Sequence, residues 1–423
     1  MIKTETKTIL THVMTAILFI SALLGLRWLW TEIFSTAEHP NAVHGVLDMR
    51  GWNFEESPSI PLNGEWEFYP ERFSTYGDTT LPAAGGPHYV QVPGDWRSAF
   101  PEGSESSFGY GTYRLRILID SPLDQPYTFW FQELEASSAV IINGNAEATI
   151  GLPAAQKEAY QPRNVSYTAS YTPPEGAKEI ELLVHMANFE NPFHGGIVKS
   201  IRFGSQAAID AERWYSIGFQ LGTFIVLLLH SMYACILYLF NPRQKAFLFF
   251  FLLLVATATS VVGDHDDVLL QWIPLDYAGA LKVKLLSNLW LPFFVLLMAR
   301  VFAEQTENNR LFRAYTAIVV LYSGIVLAGS APFIHFTVEA NIFLVLYLFP
   351  LIWFVLIVAG MIHRNERDTI LLQLTATSVV SNVIWEIAND HLEVLIVYYP
   401  IDVFASIVGF SSFWFKKYFR NSE

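Results

Sequence analysis

Six residues in the N-terminal half of the chain have side chains suited to binding a polar organic ligand: Asp95, Trp96, Arg97, Arg163, Asn188 and His194. A sugar presents apolar C–H faces that stack on aromatic rings, and hydroxyl groups that need fixed polar partners. The six residues lie in three predicted loops, so a fold that joins these loops would create a ligand site. The alternative is that the Trp side chain is core and that Asp95 and Asn188 hold turns through hydrogen bonds.

Catalytic chemistry has little support in the sequence. Glu65 and Glu67 could act as a general acid and base by residue type, but they alternate along a predicted strand, where solvated charges are the default. Residues 264–267 offer two kinds of metal ligand, yet adjacent residues of a short loop rarely converge on one ion. We therefore predict a protein that is not an enzyme and that needs no metal or cofactor.

The elements that must position the six residues are short and extended. Between residues 40 and 208, clusters of Pro, Gly, Asn and Asp separate runs in which apolar and polar residues alternate. The runs lie at 64–69, 88–92, 113–119, 127–134, 139–142, 179–189 and 197–203. Seven or more short antiparallel strands over about 170 residues predict an extracytoplasmic β-sandwich.

Composition limits the partners of this sandwich. Residues 31–213 contain 11 Lys and Arg against 24 Asp and Glu, which accounts for the whole net charge of −13. Such an acidic surface argues against nucleic acid and favours neutral or cationic ligands. The single cysteine, Cys235, lies outside this region, so the sandwich has no disulfide.

The C-terminal half contains seven apolar segments, each close to or above the ~20 residues that span a bilayer as a helix. They run over 214–240, 246–263, 276–302, 314–332, 338–362, 369–388 and 395–415. The connecting loops alternate between basic and acidic, and basic loops remain cytoplasmic. We therefore expect a multi-pass protein of the cell membrane, with the N-terminal domain outside and the C-terminus in the cytoplasm.

The segment 1–34 is apolar after two lysines, and it is either a cleaved signal peptide or a membrane anchor. Trp28 and Trp30 are typical of an interfacial anchor and favour the second interpretation. The predicted domains are this segment, the sandwich over 40–208, the helical domain over 214–418 and a short cytoplasmic tail over 419–423.

Ionisable residues inside the predicted helices form a second candidate site. Charges at membrane depth are costly unless paired or hydrated, and they often mark function. Lys284, Glu386 and Asp402 occur at similar predicted depth in the third, sixth and seventh helices. They predict a polar cluster beneath the sandwich, whose role is either static pairing or switching.

Six strings in this order identify a family resemblance. They are LNGEWEFYP (62–70), VPGDW (92–96), GYGTYRLRI (109–117), VIINGN (140–145), YQPR (160–163) and ANFENPFHGGI (187–197). Together with seven following helices, they resemble the bacterial seven-transmembrane receptors with diverse intracellular signalling modules. The resemblance implies a galactose-binding-like jelly roll outside, thought to bind carbohydrate, and helices that relay to a cytoplasmic enzyme. The strings are also similar to the N-terminal jelly roll of β-galactosidase-like glycosidases.

The chain departs from that pattern because no signalling domain follows the last helix. The sequence thus predicts a sensor in the lipid bilayer that binds a small molecule or saccharide and signals through a separate cytoplasmic protein. A transporter or channel with a substrate-capturing outer domain is the alternative, as is a membrane tether for a glycan-binding domain.

Overall fold

The computed structural model describes residues 2–34, 38–77, 87–100, 106–120, 122–123, 125–263, 266–304, 309–364, 369–388 and 400–420. Eleven strands are formed within this part of the chain. They are β1 Val46–Asp48, β2 Ile60–Pro61, β3 Gly64–Pro70, β4 His88–Val92, β5 Gly109–Leu118, β6 Tyr127–Phe131, β7 Ser137–Ile142, β8 Asn145–Ile150, β9 Tyr167–Tyr171, β10 Glu179–Asn188 and β11 Arg202–Ser205.

The strands form two sheets. The larger sheet has the order β4-β3-β5-β10-β7-β8, and β1 pairs in parallel with the C-terminal residues of β5. The smaller sheet has the order β2-β11-β6-β9. All other pairs are antiparallel. Buried side chains of both sheets form one apolar cluster, so the sheets pack face to face as a sandwich.

The alternation read from the sequence explains this core. In β3, Trp66 and Phe68 are fully buried, whereas Glu65 and Glu67 lie on the opposite face. The same two-residue repeat in β5 buries Leu115 in the core of the sandwich. Each of the two sheets therefore contributes one apolar face to the interior, as the period-2 pattern predicts.

Ten helices are formed in the described part of the chain. They are α1 Ile2–Phe34, α2 Gln206–Phe240, α3 Lys245–Val262, α4 Val268–Trp272, α5 Tyr277–Phe302, α6 Arg310–Ala328, α7 Ala331–Glu339, α8 Ile342–His363, α9 Thr369–Ala388 and α10 Pro400–Arg420. The short helices α4 and α7 were not expected from the sequence. Both lie at the ends of the long helices that face the sandwich.

Six described helices are long and apolar enough to cross a membrane: α1 from Leu10, α2, α3, α5, α6 and α8. The protein is therefore a multi-pass membrane protein. Helix α9 is apolar over the shorter stretch Thr369–Trp385, and several side chains of α10 lie outside the described part. The expected seven-helix count after the sandwich remains a prediction.

The sandwich continues into the helices without a linker. Ser205 ends β11 and also caps α2, because its side chain accepts a hydrogen bond from the backbone amide of Ala208. The sequence placed the start of this helix near residue 214, but α2 begins at Gln206. The first two turns of α2 therefore belong to the contact with the sandwich.

Helix α1 packs against α9. His12 forms a short hydrogen bond with the side chain of Gln373, and the amide of Gln373 donates to the His12 backbone oxygen at 2.8 Å. Near the other end of α1, the guanidinium of Arg27 lies 5.0 Å from the ring centre of Trp385. Polar contacts of this kind hold helices together in apolar surroundings.

Candidate functional site at the junction of sandwich and helices

Asp95, a predicted ligand residue, organises a loop. Its carboxylate accepts hydrogen bonds from the backbone and side chain of Arg97, from the Ser107 hydroxyl at 2.9 Å and from the Gly195 amide at 3.0 Å. These bonds join the segment after β4 to the segment after β10. The contacts of Asp95 are therefore those of a residue that holds a turn through hydrogen bonds, which is the structural alternative given for it in the sequence analysis.

Trp96 and Asn188 are also internal. The indole of Trp96 is fully buried, stacks on Tyr113 and donates to the Ser107 carbonyl at 3.0 Å. The side-chain amide of Asn188 is buried and donates to the carbonyls of Ser107, Asn191 and His194. The expectation of an exposed ring for sugar stacking is therefore wrong for Trp96, because the ring fills the sandwich core.

The remaining predicted ligand residues are exposed and separate. Arg97 pairs with the neighbouring Asp95 at 3.0 Å, and Arg163 is bound through its backbone amide to the Ala136 carbonyl at 3.1 Å. His194 lies 3.9 Å from Glu339 of α7. The structure thus brings most of the predicted residues to one end of the sandwich, and that end faces the helices.

Three loops of the sandwich contact the helices: residues 132–136 between β6 and β7, residues 151–166 between β8 and β9, and residues 189–201 between β10 and β11. Phe193 lies 6.5 Å from Phe336 of α7 between ring centres. A small apolar cluster also joins the two parts, with Ala136 and Tyr160 on one side and Tyr277 and Ala331 on the other. We call this contact the junction.

An ion-pair group forms one side of the junction. The carboxylate of Glu133 lies 2.6 Å from Nζ of Lys199 in the sandwich and 3.3 Å from Nζ of Lys284 in α5. Both lysine side chains keep about two fifths of their surface exposed, at 40% and 39%. Each pair is therefore a modest contributor to stability, although the group connects a sandwich loop to a membrane helix.

A hydrogen-bonded chain of three residues forms the other side of the junction. The hydroxyl of Tyr277, the first residue of α5, donates to the carboxylate of Glu135. The Nε2 atom of His335 in α7 lies 3.0 Å from the same hydroxyl oxygen. Burial raises the pKa of Glu135 to about 7, and the negative charge of Glu133 acts in the same direction.

His335 is held neutral. Burial lowers its pKa to about 4, and the neighbouring His194 contributes in the same direction. A neutral imidazole can either donate or accept at Nε2, depending on its tautomer. The hydrogen bonds that link Glu135, Tyr277 and His335 can therefore be donated in either direction along the three residues.

A second contact binds the sandwich to α2. Glu212 of α2 accepts a hydrogen bond from the Ser59 amide at 2.9 Å and another from its hydroxyl, and it lies 3.6 Å from the guanidinium of Arg202. Arg202 also donates to the Ser59 carbonyl at 2.7 Å. The Arg202 and Glu212 side chains are only 6% and 9% exposed. This buried pair fixes the orientation of β11 relative to α2.

Lys284 was expected to lie near Glu386 and Asp402. The structure gives Lys284 a partner in the sandwich, Glu133, which the sequence did not suggest. The side chains of Glu386 and Asp402 lie outside the described residues, although the backbones of α9 and α10 are described. The three-residue cluster therefore stays a prediction.

Sequence reasoning missed the junction residues Glu133, Glu135, Tyr277 and His335. Tyr277 and Glu135 are separated by 142 positions, and Tyr277 and His335 by 58. His335 falls between two predicted spans, in a stretch read as a connection. A useful signal was present, because Asp276 is a strong N-cap residue that places Tyr277 at the N-terminal end of its helix.

The junction joins an all-β domain to a bundle of apolar helices. The model of the family described as 7TM diverse intracellular signalling matches residues 216–415. This match confirms, over the helical half of the chain, the resemblance recognised in the sequence. The family is one of sensory receptors.

Comparison with curated proteins gives no match. Among solved structures, the chain is similar to a β-glucuronidase of an uncultured Clostridium species, at 16% identity and a TM-score of 0.26 over 35% of this chain and 29% of that one. A β-glucuronidase of Faecalibacterium prausnitzii is 12% identical to the chain, with a TM-score of 0.26 over 35% of this chain and 31% of that enzyme. The matches span about a third of those enzymes, and likeness at this level carries no inference.

Proposed function

We propose that this protein is a membrane sensor whose outer sandwich, a jelly roll of the galactose-binding type, binds an envelope ligand such as a saccharide. The bound state passes through seven helices to a separate cytoplasmic signalling protein. The observation that supports this proposal best is the double attachment of the sandwich. It is bound to α2 through the buried Arg202–Glu212 pair and to α5 and α7 through the junction.

Two attachments on different helices matter mechanically. A sandwich held at one point could turn without moving the bundle, whereas a sandwich held at α2 and at α5 and α7 must shift these helices relative to one another. Packed helices are bistable rather than continuously deformable, so small shifts select between arrangements. The tether alternative requires no such second attachment.

Tyr89 is the residue we propose as a stacking surface for a saccharide in place of Trp96. It lies on β4 and is 48% exposed, and its ring centre is 4.9 Å from that of His44. The carboxylate of Glu65 lies 3.6 Å from Nε2 of His44. An exposed ring beside an imidazole and a carboxylate offers the mixture of apolar and polar contacts that sugars need.

Binding is tested with the full chain in lipid nanodiscs. Neutral, acidic and amino saccharides are screened by thermal shift, and hits are titrated by calorimetry. We expect a neutral or cationic hit whose affinity falls at least tenfold in Tyr89→Ala. The matched control is Tyr76→Ala, because Tyr76 is also an exposed sandwich tyrosine, at 54%. A panel without hits would end the carbohydrate part of the proposal.

The cytoplasmic side is tested by thiol labelling in intact cells and by crosslinking in native membranes. In a Cys235→Ser background, a cysteine at Arg243, between α2 and α3, should resist an impermeant thiol reagent, whereas a cysteine at the exposed sandwich residue Glu175 should react. Photocrosslinkers at Arg243 and Arg364 should then capture a kinase or nucleotide cyclase. Labelling at Arg243 in intact cells would overturn the orientation, and capture of only lipid or this chain would favour the tether.

A further inference from the structure

The three residues at the centre of the junction belong to three different elements. Glu135 comes from the loop between β6 and β7, Tyr277 begins α5, and His335 lies in α7. Tyr277 is buried, while Glu135 and His335 each keep part of their surface accessible. The residues at the two ends of this hydrogen-bonded chain are therefore closer to solvent than the tyrosine between them.

The hydroxyl of Tyr277 has one proton and can donate to only one partner at a time. When Glu135 is ionised, the hydroxyl donates to the carboxylate, and His335 must donate its Nε2 proton to the tyrosine oxygen. When Glu135 is protonated, the carboxyl group can donate to the tyrosine oxygen instead. The hydroxyl then donates to Nε2, which requires the His335 proton on Nδ1.

The two states differ by one proton taken from solution. A proton that binds Nδ1 of His335 releases the Nε2 proton to the Tyr277 oxygen, and the original hydroxyl proton passes to Glu135. One N–H bond forms and one breaks, the tyrosine exchanges one O–H bond for another, and an O–H bond forms on Glu135. Tyrosine and histidine end neutral, and the net change is neutralisation of one carboxylate.

Other ionisable groups surround this chain or pair with its neighbours: Glu133, Tyr160, Glu190, His194, Lys199, Lys284 and Glu339. The negative charge of Glu133 opposes ionisation of Glu135, whereas Lys284 favours it. Neutralising Glu135 therefore alters the charge balance beside the Glu133–Lys284 contact. This contact, like the hydrogen-bonded chain, spans the boundary between sandwich and helices.

We propose that Glu135 is a proton-binding site and that its protonation changes how the sandwich docks on α5 and α7. The protein would then respond to the pH of the compartment around the sandwich, as an input additional to the proposed saccharide. The position of the group supports this role, because its carboxylate accepts a hydrogen bond from Tyr277, which belongs to the helical part. Its pKa of about 7 places the change near neutral pH.

The proton site is tested by infrared difference spectroscopy of the full chain in nanodiscs between pH 8 and pH 5.5. We expect a carbonyl band of a protonated carboxyl group with a midpoint near pH 7 that disappears in Glu135→Gln. Glu179→Gln is the matched control, because Glu179 pairs with Arg116 at 2.6 Å on the sandwich surface. A band that survives Glu135→Gln unchanged would overturn the assignment.

Docking is measured in the same samples by spin labels at two exposed positions, Glu147 in β8 and Gln271 in α4, in a Cys235→Ser background. We expect the distance distribution to shift with the same midpoint and the shift to be lost in Glu135→Gln. Tyr277→Phe removes a donor that stabilises the carboxylate, so it should raise the midpoint. A titrating band without a pH-dependent distance would overturn the proposed link to docking.

Discussion

The hydroxyl group of Tyr277 donates a hydrogen bond to the carboxylate of Glu135, and this bond joins the first turn of a membrane helix to a loop of the sandwich. The bond lies beside the ion pair between Glu133 and Lys284. Two polar contacts therefore converge where the sandwich meets the helices. The buried Arg202–Glu212 pair at α2 is a further contact between the two parts.

The Arg202–Glu212 pair should be the stronger structural contact. Removing one partner of a buried ion pair leaves an uncompensated charge, which costs about 3–5 kcal/mol. Glu212→Gln in the full chain should lower the free energy of unfolding of the sandwich by an amount of that order. The control Glu179→Gln, at a pair that is 36–39% exposed, should cost about 1 kcal/mol or less. Equal effects at both positions would contradict the account.

Lys284 has two candidate partners, and a double-mutant cycle can distinguish them. The first cycle combines Lys284→Met with Glu133→Gln, and the second combines Lys284→Met with Glu386→Gln or Asp402→Asn. The structure predicts coupling of roughly 0.5–1 kcal/mol in the first cycle. Additive effects in the first cycle, with coupling only in the second, would show that Lys284 pairs with a residue of the helices and not with Glu133 of the sandwich.

Stability should depend on pH through Glu135. Its pKa rises from 4.5 in the unfolded chain to about 7 in the folded chain, so the folded state binds the proton more tightly between these values. The contribution of Glu135 to the free energy of unfolding is complete below pH 4.5 and is lost as the pH rises through about 7. The difference in unfolding free energy between the parent and Glu135→Gln should fall by roughly 1–3 kcal/mol over that window.

The comparison with Glu135→Gln is needed because a fall in pH lowers stability through His335, whereas it raises stability through Glu135. Its pKa falls from 6.5 to about 4, so it costs stability as the pH drops through that range. Since His335 is present in both proteins, the part of its effect that does not depend on Glu135 cancels in the difference. A difference that stays constant from pH 4.5 to pH 8 would show that Glu135 does not titrate with folding.

The N-terminal helix should remain in the mature protein. Its contacts with α9 at both ends, through His12 and Arg27, are those of an integral helix rather than a removed signal peptide. Mass spectrometry of the purified protein should therefore recover peptides before residue 34. Gln373→Leu should weaken the contact and lower the melting temperature, whereas a mature N-terminus near residue 37 would refute the prediction.

Much of the sandwich could be predicted from sequence, because alternation reports directly which face of a strand is buried. The predicted strand at 88–92 matches β4, and those at 64–69 and 179–189 match β3 and β10 within a residue. Strands β1, β2, β8 and β9 were missed. β1 and β2 are only three and two residues long, and β8 is largely exposed, so they lack an alternating pattern.

The candidate site was harder to predict, for a physical reason. Residues in loops or at strand ends, such as Asp95 and Asn188, have the chemistry of ligand contacts and of turn-forming hydrogen bonds alike, and only three-dimensional partners distinguish the two roles. Trp96 shows the same ambiguity, since an aromatic residue next to a polar loop can point inward. Tyr277 and Glu135 have no distinguishing local pattern and become a site only through packing.

The central claim is that the docked sandwich sets the arrangement of the helices at their far ends. It is tested most directly by spin labels at Arg243 and Arg364, which follow the ends of α2 and α8 remote from the junction. Glu133→Lys reverses the charge that contacts Lys284, while Glu179→Lys makes the same change away from the junction. We expect a changed distance distribution for Glu133→Lys and the parent distribution for Glu179→Lys. Parent distributions for both variants would contradict the central claim.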